Sequence, residues 1–266
     1  VAGLLDCHLL PIFMGASQVH VAPGVLLADP MRFLQLISHF KITTTFAPNF
    51  LFKLINVALA NSDAPPKMDL SSLKVLISGG ESVVTKTACD FLANGAPLGL
   101  KNTVVRPAFG MTETSAGITF SNIFPAGDAE SEFAGLGAAM EGVKLRIVSE
   151  ETGHPFTEPN QAGALQVSGE TVFGGYIYNK EATAEAFTPD GWFNTGDRAT
   201  LNAEGQLLLM GRNKDSIIIN GANFYSHELE TCLSDVDGVM HSCIAAVPTR
   251  PHGADTEQLV LFIALQ

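Results

Sequence analysis

The chain has 266 residues, 46% of them hydrophobic and 16% charged, which is enough for one large packed domain or for one domain with a small appendage. Its 15 Lys and Arg residues against 27 Asp and Glu residues give a formal net charge of −12, which argues against a nucleic-acid-binding or anionic-membrane surface. The four cysteines show no metal-binding spacing, so we expect reduced thiols in a cytoplasmic protein. The apolar stretch Leu4–Ala16 is interrupted by polar residues and is too short to span a membrane.

The beginning of the chain predicts helices. Residues 1–21 are expected to form a buried helix or a helix–strand pair that ends in the strand-like run at 18–21. Asp29 and Pro30 have the composition of a helix start, with Asp as the cap and Pro in the first turn. Because the chain starts on Val1, within an apolar pattern and without an initiator Met, we expect it to be a fragment of a longer polypeptide.

Strands and helices then alternate along the chain. β-branched and apolar runs at 42–46 and 74–78 predict two strands, and a helix is expected between them from Pro48 to about Ala60. A further helix is expected at 84–94, with Gly95 as its C-terminal cap. This alternation favours an α/β fold with mostly parallel sheets and flanking helices, in which ligands bind at the carboxyl ends of the strands.

Beyond residue 135 the sequence pattern changes to short predicted strands bounded by turn residues, which indicates a β-rich subdomain. Strands are expected at 143–148 and 164–167, followed by a hairpin whose turn is 202–205. The last part of the chain has a different pattern, with elements predicted at 216–220 (strand), 227–233 (helix) and 259–265 (strand).

These elements divide the chain into three predicted parts. Residues 1–134 would be the α/β part and 135–211 the β-rich subdomain of one large domain. Residues 212–266 would be a hinge and a truncated, small α+β C-terminal domain.

The stretch Arg106–Thr114 has the composition of a nucleotide-phosphate and Mg²⁺ site. It follows an apolar run and is predicted to bend at Pro107 and to turn at Gly110. Thr112 can donate to a phosphate oxygen, and Glu113 offers an oxygen ligand of the kind that Mg²⁺ takes. A strand–turn–helix junction with a surface Glu has the same pattern, so this stretch alone does not decide between the two.

Three further stretches carry a similar ambiguity. Asp197 follows a Thr-Gly turn and could accept hydrogen bonds from both ribose hydroxyls, or be an ordinary β-turn Asp. Arg212 could bind ribose or phosphate through two N–H groups, or form a surface salt bridge. The run Gly79–Glu81 could let a backbone approach a flat ring, or make a plain strand-to-helix turn.

Together, in this order and spacing, the four motifs resemble those of the adenylate-forming superfamily, which includes acyl-CoA ligases, adenylation domains of peptide synthetases and luciferases. The resemblance covers nearly the whole chain. Within this superfamily, the sequence most resembles fatty-acyl-AMP ligases and the ligase domains of fungal polyketide and peptide megasynthases. The stretches that carry this closer resemblance are Asp29–Leu34, Ala47–Phe50 and Gly211–Gly221.

The resemblance implies roles for the first two motifs. Gly79, Gly80 and Glu81 would form one wall of an adenine slot, and the ring of Phe109 would form the other; Gly110 is grouped with the cofactor-binding residues. The next two residues would act on the phosphates: Thr112 would hold the α-phosphate, and Glu113 would hold the Mg²⁺ that bridges the leaving pyrophosphate.

It also implies roles for the later motifs. Asp197 and Arg212 would grip the ribose. Lys214 matches the hinge about which the C-terminal domain swings between two half-reactions, and it is grouped with the catalytic residues. Gly221 would face the incoming pantetheine thiol.

The activity implied is ATP-dependent conversion of a carboxylic acid, a fatty or polyketide acyl acid, to acyl-AMP with release of pyrophosphate. The acyl group would then pass to the phosphopantetheine of an acyl or peptidyl carrier protein, or to CoA. The family's phosphate loop would precede Val1 and its late catalytic Lys would follow Gln266, so we expect this piece alone to be inactive. The alternatives are a non-catalytic nucleotide-binding, acyl-binding or scaffolding fragment of a megasynthase, and a luciferase-like oxygenase.

Overall fold

A computed structural model describes residues 2–61, 67–126, 131–212, 216–219, 222–234, 236–249 and 258–265. The predicted α/β fold with a β-rich part and a small α+β C-terminal part is confirmed. A mixed five-stranded sheet with flanking helices is followed by a four-stranded antiparallel sheet and by two two-stranded sheets. No helix in these ranges is long and apolar enough to cross a membrane.

The first described residues form short helical turns. The chain passes through α1 (Ala2–Leu4), a π-helical turn (Leu5–Leu9) and α2 (Leu10–Phe13), and then α3 (Pro23–Ala28). The prediction of a buried segment that ends in a strand is wrong, because Phe13 is 87% exposed and residues 18–21 are irregular. Helical periodicity identifies an apolar face but not the element that would cover it. Residues 18–21 are held instead by side chains, with Gln18 Oε1 lying 2.9 Å from His8 Nδ1.

The five-stranded sheet has a parallel half and an antiparallel half. Its order is β1 (Thr44–Phe46), β2 (Val75–Ser78), β3 (Val105–Met111), β4 (Ala116–Phe120) and β5 (Ala138–Ala139). The first three strands pair in parallel, and β4 and β5 add antiparallel. The two predicted strands at 42–46 and 74–78 are therefore present in shorter form, and the parallel arrangement holds for half of the sheet.

Strand β3 continues through Pro107, so the predicted bend at this residue is wrong. The carbonyl of Pro107 accepts a hydrogen bond from the Ser121 amide at 2.8 Å, and Pro107 pairs with Ser78, the last residue of β2. Because β2 ends at this pair, the missing N–H of the proline does not interrupt a longer ladder. Phe109 and Gly110 consequently belong to the sheet and not to a loop beyond it.

Three helices flank the sheet: α4 (Met31–Phe40), α5 (Asn49–Ala60) and α6 (Thr85–Gly95). The predicted cap at Asp29 is confirmed, because its Oδ1 accepts a hydrogen bond from the Met31 amide at 3.1 Å. Phe52 on α5 stacks on Phe91 on α6 with ring centroids 4.6 Å apart, and both rings are buried. These contacts form the centre of the first hydrophobic core.

The predicted cap at the end of α6 is wrong. The chain continues from Gly95 into a 3₁₀ turn (Ala96–Leu98), and the residue in the left-handed conformation is Gly99, with φ of +88°. Gly95 serves close packing instead, since a Cβ at this position would lie 2.5 Å from Leu100 Cδ2.

The predicted β-rich part is an antiparallel sheet of β6 (Val143–Val148), β7 (Gly163–Gly169), β8 (Phe193–Leu201) and β9 (Leu207–Arg212). The predicted hairpin joins β8 to β9, and Asn202 Oδ1 accepts the amides of Glu204 and Gln206 in its turn. A helix that was not predicted, α7 (Lys180–Ala186), is capped by Asn179, whose Oδ1 accepts the Ala182 amide at 3.0 Å.

Strand β3 takes part in both hydrophobic cores. Val105, at its start, belongs to the first core, between the sheet and its helices. Phe109, near its end, belongs to the second core, which is formed with β4 and the four-stranded sheet. The backbone also joins β9 to the segment before β5: the Leu136 amide donates to the Leu207 carbonyl at 2.8 Å, and the Leu207 amide donates to the Gly137 carbonyl at 2.9 Å.

The last described elements are β10 (Ser216–Ile219), β11 (Ala222–Tyr225), α8 (Ser226–Ser234), β12 (Val239–Thr249) and β13 (Gln258–Leu265). The predicted helix at 227–233 and the predicted strands at 216–220 and 259–265 are confirmed as α8, β10 and β13, with small differences at their ends. Strands β11 and β12 were not predicted; they pair antiparallel with β10 and β13 respectively.

Candidate functional site

A cavity of about 180 Å³ lies at the carboxyl ends of β2 and β3. Residues from both motifs on these strands form its wall, although the motifs are well separated in sequence. The sequence-predicted residues on the wall are Gly79, Gly80, Phe109, Gly110 and Thr112. This is the edge of the sheet at which open α/β folds bind ligands.

The glycine pair brings the end of β2 against β3. A Cβ at Gly79 would lie 2.6 Å from the carbonyl oxygen of Ala108, so a side chain here would push the strands apart. Gly80 has φ of +83°, a conformation that glycine adopts without strain. The two glycines therefore give the cavity a wall made of backbone.

The carboxylate of the third residue in this motif points elsewhere. Glu81 Oε1 accepts a hydrogen bond from the Phe50 amide at 2.8 Å, at the N-terminus of α5. Burial raises the pKa of Glu81, and hydrogen bonds from the Phe50 and Asn49 amides oppose this rise. Free amides and the helix dipole favour a carboxylate at this position. Glu81 thus caps a helix and does not contribute to the cavity wall.

Gly110 is required by close approach and not by a turn, so the predicted turn there is wrong. The strand pairing shifts register between Phe109 and Gly110, and a Cβ at Gly110 would lie 1.9 Å from the carbonyl oxygen of Ala116 on β4. Phe109 is 9% exposed, and its amide donates to Thr119 Oγ1 at 3.3 Å. The ring lies in the second core and also on the cavity wall.

Thr112 and Glu113 lie in a 3₁₀ turn (Thr112–Thr114) directly after β3. Thr114 fixes this turn: its buried hydroxyl accepts the Met111 amide at 3.1 Å, and its one hydrogen is shared between the carbonyls of Met111 and Ala116, at 3.0 and 3.1 Å. Thr112 is exposed at the rim of the cavity and Glu113 is half-buried. Thr112 lies on the cavity wall, whereas Glu113, the next residue in the turn, is not among the residues described on that wall.

The carboxylate of Glu113 has a partner that the sequence did not indicate. The hydroxyl of Tyr176 donates to Glu113 Oε1 at 3.1 Å. Desolvation and, after it, the hydrogen bond to Glu113 raise the pKa of Tyr176. The two residues lie 63 positions apart in sequence.

Asp197 and Arg212 lie directly opposite each other on β8 and β9. Asp197 is 4% exposed, and its amide donates to Thr195 Oγ1 at 3.0 Å. The residues described on the cavity wall include neither of them. The side chain of Arg212 and the whole of Lys214 and Gly221 lie outside the part of the chain that the structure describes.

The cavity wall also contains residues that the sequence did not single out. Asp6 is the one charged side chain among the described wall residues, and burial raises its pKa. Phe46 and Phe120 come from β1 and β4. Phe46 is the last residue of the predicted strand at 42–46, and this position at a strand end was the signal that could have revealed it. Asp6 had no such signal, because an acidic residue in an apolar run also occurs in ordinary amphipathic helices.

A cavity walled by glycine backbone at the strand ends of an α/β sheet, with a threonine hydroxyl at its rim and a carboxylate in the next residue, is typical of proteins that bind nucleotides. Comparison with known proteins makes the class specific. The family model described as "AMP-binding enzyme" matches residues 1–177, and the chain belongs to this family.

Individual relatives agree with this assignment. The chain is 42% identical over 269 residues to the nonribosomal peptide synthetase btyA of Aspergillus terreus, a match that covers 98% of this chain and 29% of btyA. It is similar to the solved structure of McyG A-PCP complexed with phenylalanyl-adenylate, with a TM-score of 0.88, 34% identity, and coverage of 98% of this chain and 41% of the other.

A second solved structure is the adenylation domain of a keto acid-selecting NRPS module bound to keto acyl adenylate. The TM-score is 0.78 at 33% identity, and the match covers 100% of this chain and 52% of the other. The chain thus spans less than two thirds of the length of each of these relatives. The similarity to fungal and other peptide-synthetase adenylation domains confirms the expected superfamily and its megasynthase branch.

Proposed function

We propose that the chain carries the AMP-binding part of an enzyme that joins a carboxylic acid to AMP, releases pyrophosphate and passes the acyl group to a thiol. The observation that carries this proposal is the cavity at the ends of β2 and β3. Its wall combines Gly79 and Gly80 from one motif with Phe109 and Thr112 from the other. The backbone wall and the ring suit a flat adenine, and the Thr112 hydroxyl suits a phosphate oxygen.

The residues present also fit Mg²⁺. Proteins usually hold this ion through one or two carboxylates together with phosphate oxygens, and Glu113 is a half-buried carboxylate directly after Thr112, which lines the cavity. In the described ranges no group of three His, Cys, Asp or Glu side chains could form a metal cage, and this mode of binding needs none. When bound, the ion would neutralise charge on the phosphates.

The remaining roles follow the chemistry of the side chains. In the proposed reaction the substrate carboxylate attacks the α-phosphorus of ATP and pyrophosphate leaves, so catalysis consists mainly of positioning and charge neutralisation. Thr112 would orient the α-phosphate. Asp197 and Arg212, neighbours across β8 and β9, would hold the ribose. Lys214 would be the hinge and Gly221 would face the thiol, as the sequence resemblance implies.

For the acid, we favour a small 2-keto acid or an amino acid over a fatty acid. The resemblance to fatty-acyl-AMP ligases suggested a fatty or polyketide acyl chain. The relatives named above are instead a peptide synthetase and two adenylation domains, which hold phenylalanyl-adenylate and keto acyl adenylate. The thiol would belong to a carrier-protein phosphopantetheine, since one of these structures joins the adenylation domain to a carrier (A-PCP); CoA is the other acceptor to test.

The test uses the full polypeptide that contains this chain. Acid-dependent exchange of pyrophosphate into ATP should occur with 2-keto acids or amino acids, and Asp197→Ala and Glu113→Ala should each lower it by about 100-fold or more. Glu151→Ala, at an exposed turn residue, is the matched control and should leave the exchange rate unchanged.

The results separate the parts of the proposal. Exchange that persists undiminished in both Asp197→Ala and Glu113→Ala would remove the residue assignments. Exchange that depends on long-chain fatty acids alone would contradict the favoured substrate class and leave the assignments in place. Trapping of the product with hydroxylamine identifies the acid.

A further inference from the structure

The carboxylate of Glu113 is held by a loop from another part of the chain. Residues 170–178, which we call the tyrosine loop, connect β7 to α7 and lie beside the turn that carries Glu113. Three hydrogen bonds join the two segments. The Tyr176 hydroxyl donates to Glu113 Oε1 at 3.1 Å, the Phe173 amide donates to the Glu113 carbonyl at 2.8 Å, and the Ser115 hydroxyl donates to the Thr171 carbonyl at 2.9 Å.

The tyrosine itself is fixed from behind. The Tyr176 amide donates to Thr183 Oγ1 on α7 at 2.9 Å, and the Thr183 hydroxyl donates to the Asn179 carbonyl at 2.7 Å. Gly175, with φ of +138°, allows this approach, because a Cβ there would lie 2.5 Å from Thr183 Cγ2. The Tyr176 backbone is thus anchored on α7 while its hydroxyl reaches Glu113.

Aromatic packing continues the support into the four-stranded sheet. Phe173 meets Tyr176 edge-on at 4.8 Å between ring centroids, and it meets Phe193 edge-on at 5.4 Å. Phe193 is 2% exposed and begins β8, the strand that carries Asp197. The packing therefore links the segment that holds Glu113 to the strand of the proposed ribose-binding residue.

We propose that Tyr176 is a positioning residue that sets the orientation of the Glu113 carboxylate for Mg²⁺. The inference rests on the proposed function, in which Glu113 holds the ion. A carboxylate has two oxygens, so one can accept the tyrosine hydroxyl while the group still serves as a ligand. A hydrogen bond that orients a metal-binding carboxylate fixes the side chain before the metal binds, so less conformational entropy is lost on binding. Loss of such a hydrogen bond typically lowers metal affinity or activity by about 10- to 100-fold.

The chain offers a matched control two residues away. Tyr178 is fully exposed, and Tyr178→Phe removes the same hydroxyl from the same loop. Tyr176→Phe keeps the ring, and therefore the contact with Phe173, and removes only the donor to Glu113. Thermal unfolding of both variants, compared with the unchanged protein, checks that each is folded.

The experiment measures binding as well as activity, on the full polypeptide. Calorimetric titration with a non-hydrolysable ATP analogue is run with Mg²⁺ and again with EDTA, and pyrophosphate exchange is followed over a range of Mg²⁺ concentrations. Tyr176→Phe should weaken analogue binding in Mg²⁺ by about 10-fold and leave binding in EDTA within about 2-fold of the unchanged protein. It should also raise the Mg²⁺ concentration for half-maximal exchange. Tyr178→Phe should change none of these values.

A double-mutant cycle shows whether the tyrosine acts through the carboxylate. If it does, Tyr176→Phe has no further effect on Mg²⁺-dependent binding once Glu113→Gln is present. The inference is overturned if Tyr176→Phe matches Tyr178→Phe, if it weakens binding equally with and without Mg²⁺, or if its effect persists in the Glu113→Gln protein.

The same measurements distinguish a wrong function for the protein from a wrong role for Tyr176. If the unchanged protein binds the analogue with no dependence on Mg²⁺, or does not bind it, the proposed function fails and the role of Tyr176 fails with it. If Glu113→Gln abolishes Mg²⁺-dependent binding and Tyr176→Phe does not weaken it, the proposed function stands and the positioning role alone is refuted.

Discussion

Substitution of Gly110 by alanine tests whether the cavity is built by direct backbone contact between β3 and β4. A Cβ at this position would lie 1.9 Å from the Ala116 carbonyl oxygen and 2.5 Å from the Gly117 Cα. Both are backbone atoms, so no side-chain rotation relieves the overlap, and the two strands have to separate. Overpacking of a tight site typically costs about 1–3 kcal/mol and occasionally more. We therefore expect Gly110→Ala to lower the free energy of unfolding by about 3 kcal/mol, the upper end of that range.

The change is measured as a melting temperature. For a domain of this size about 3 kcal/mol corresponds to a decrease of about 6 to 12 °C. The matched control is Gly24→Ala in α3, where an added Cβ meets no atom within 4 Å. Alanine is favoured over glycine in a helix by about 1 kcal/mol, so Gly24→Ala should melt at the same temperature as the unchanged protein or slightly above it.

One outcome of this comparison between Gly110→Ala and Gly24→Ala would refute the prediction. A difference of 2 °C corresponds to about 1 kcal/mol or less in a domain of this size. If Gly110→Ala melts within 2 °C of Gly24→Ala, the close approach of β3 and β4 is refuted. The register shift at Phe109 would then need another explanation. A stability loss of the expected size accompanied by normal nucleotide binding would show that Gly110 is needed for the sheet and not for the site.

Three further results are expected. Arg146 makes two hydrogen bonds to Asp190 and lies 4.3 Å from the centre of the Trp192 ring, so Arg146→Lys should lower the melting temperature by about 2 to 4 °C, whereas Lys144→Arg at an exposed position should not. Hydrogen bonds from Arg146 and, after it, from Thr188 lower the pKa of Asp190 to about 2. The unchanged protein should therefore melt at a higher temperature than Asp190→Asn above pH 4, and this difference should disappear as the pH falls towards 2 and the carboxylate is protonated. Thr114→Val removes a buried hydroxyl that accepts one hydrogen bond and shares its hydrogen between two carbonyls, so it should cost about 1–3 kcal/mol. Thr114→Ser keeps the hydroxyl and should lose much less stability; equal losses in the two variants would contradict the bonding described.

The sequence was sufficient to predict the elements that depend on local chemistry. The helix at Asn49–Ala60 has long apolar periodicity, and the start at Asp29 has a side chain that caps the helix by itself. The wall residues Gly79 and Phe109 were also predictable, because parallel strands place their carboxyl ends at one edge of the sheet and short motifs mark those ends. What these features share is that a few neighbouring residues determine them.

The errors concern contacts made over long distances in sequence. Pro107 suggested a bend because a proline lacks an N–H, but the end of its partner strand at Ser78 makes the residue acceptable. Gly110 suggested a turn, and the reason for glycine is the backbone of β4. Tyr176 lies in an ordinary-looking Gly-Gly-Tyr run, and only the fold brings its hydroxyl to a carboxylate 63 residues away. In each case the residue type signals an unusual requirement, and the partner that explains it is distant in the chain.

Strand β3 contributes to both hydrophobic cores and also to the cavity wall. Local unfolding of either core would release one end of this strand. The site therefore stays intact only while both cores are folded, and the less stable core limits its stability. Hydrogen exchange at the β3 amides would therefore report that weaker core, and a ligand seated against Phe109 should slow the opening of both. The cavity thus lies where the two cores meet, and a bound nucleotide would oppose their separation.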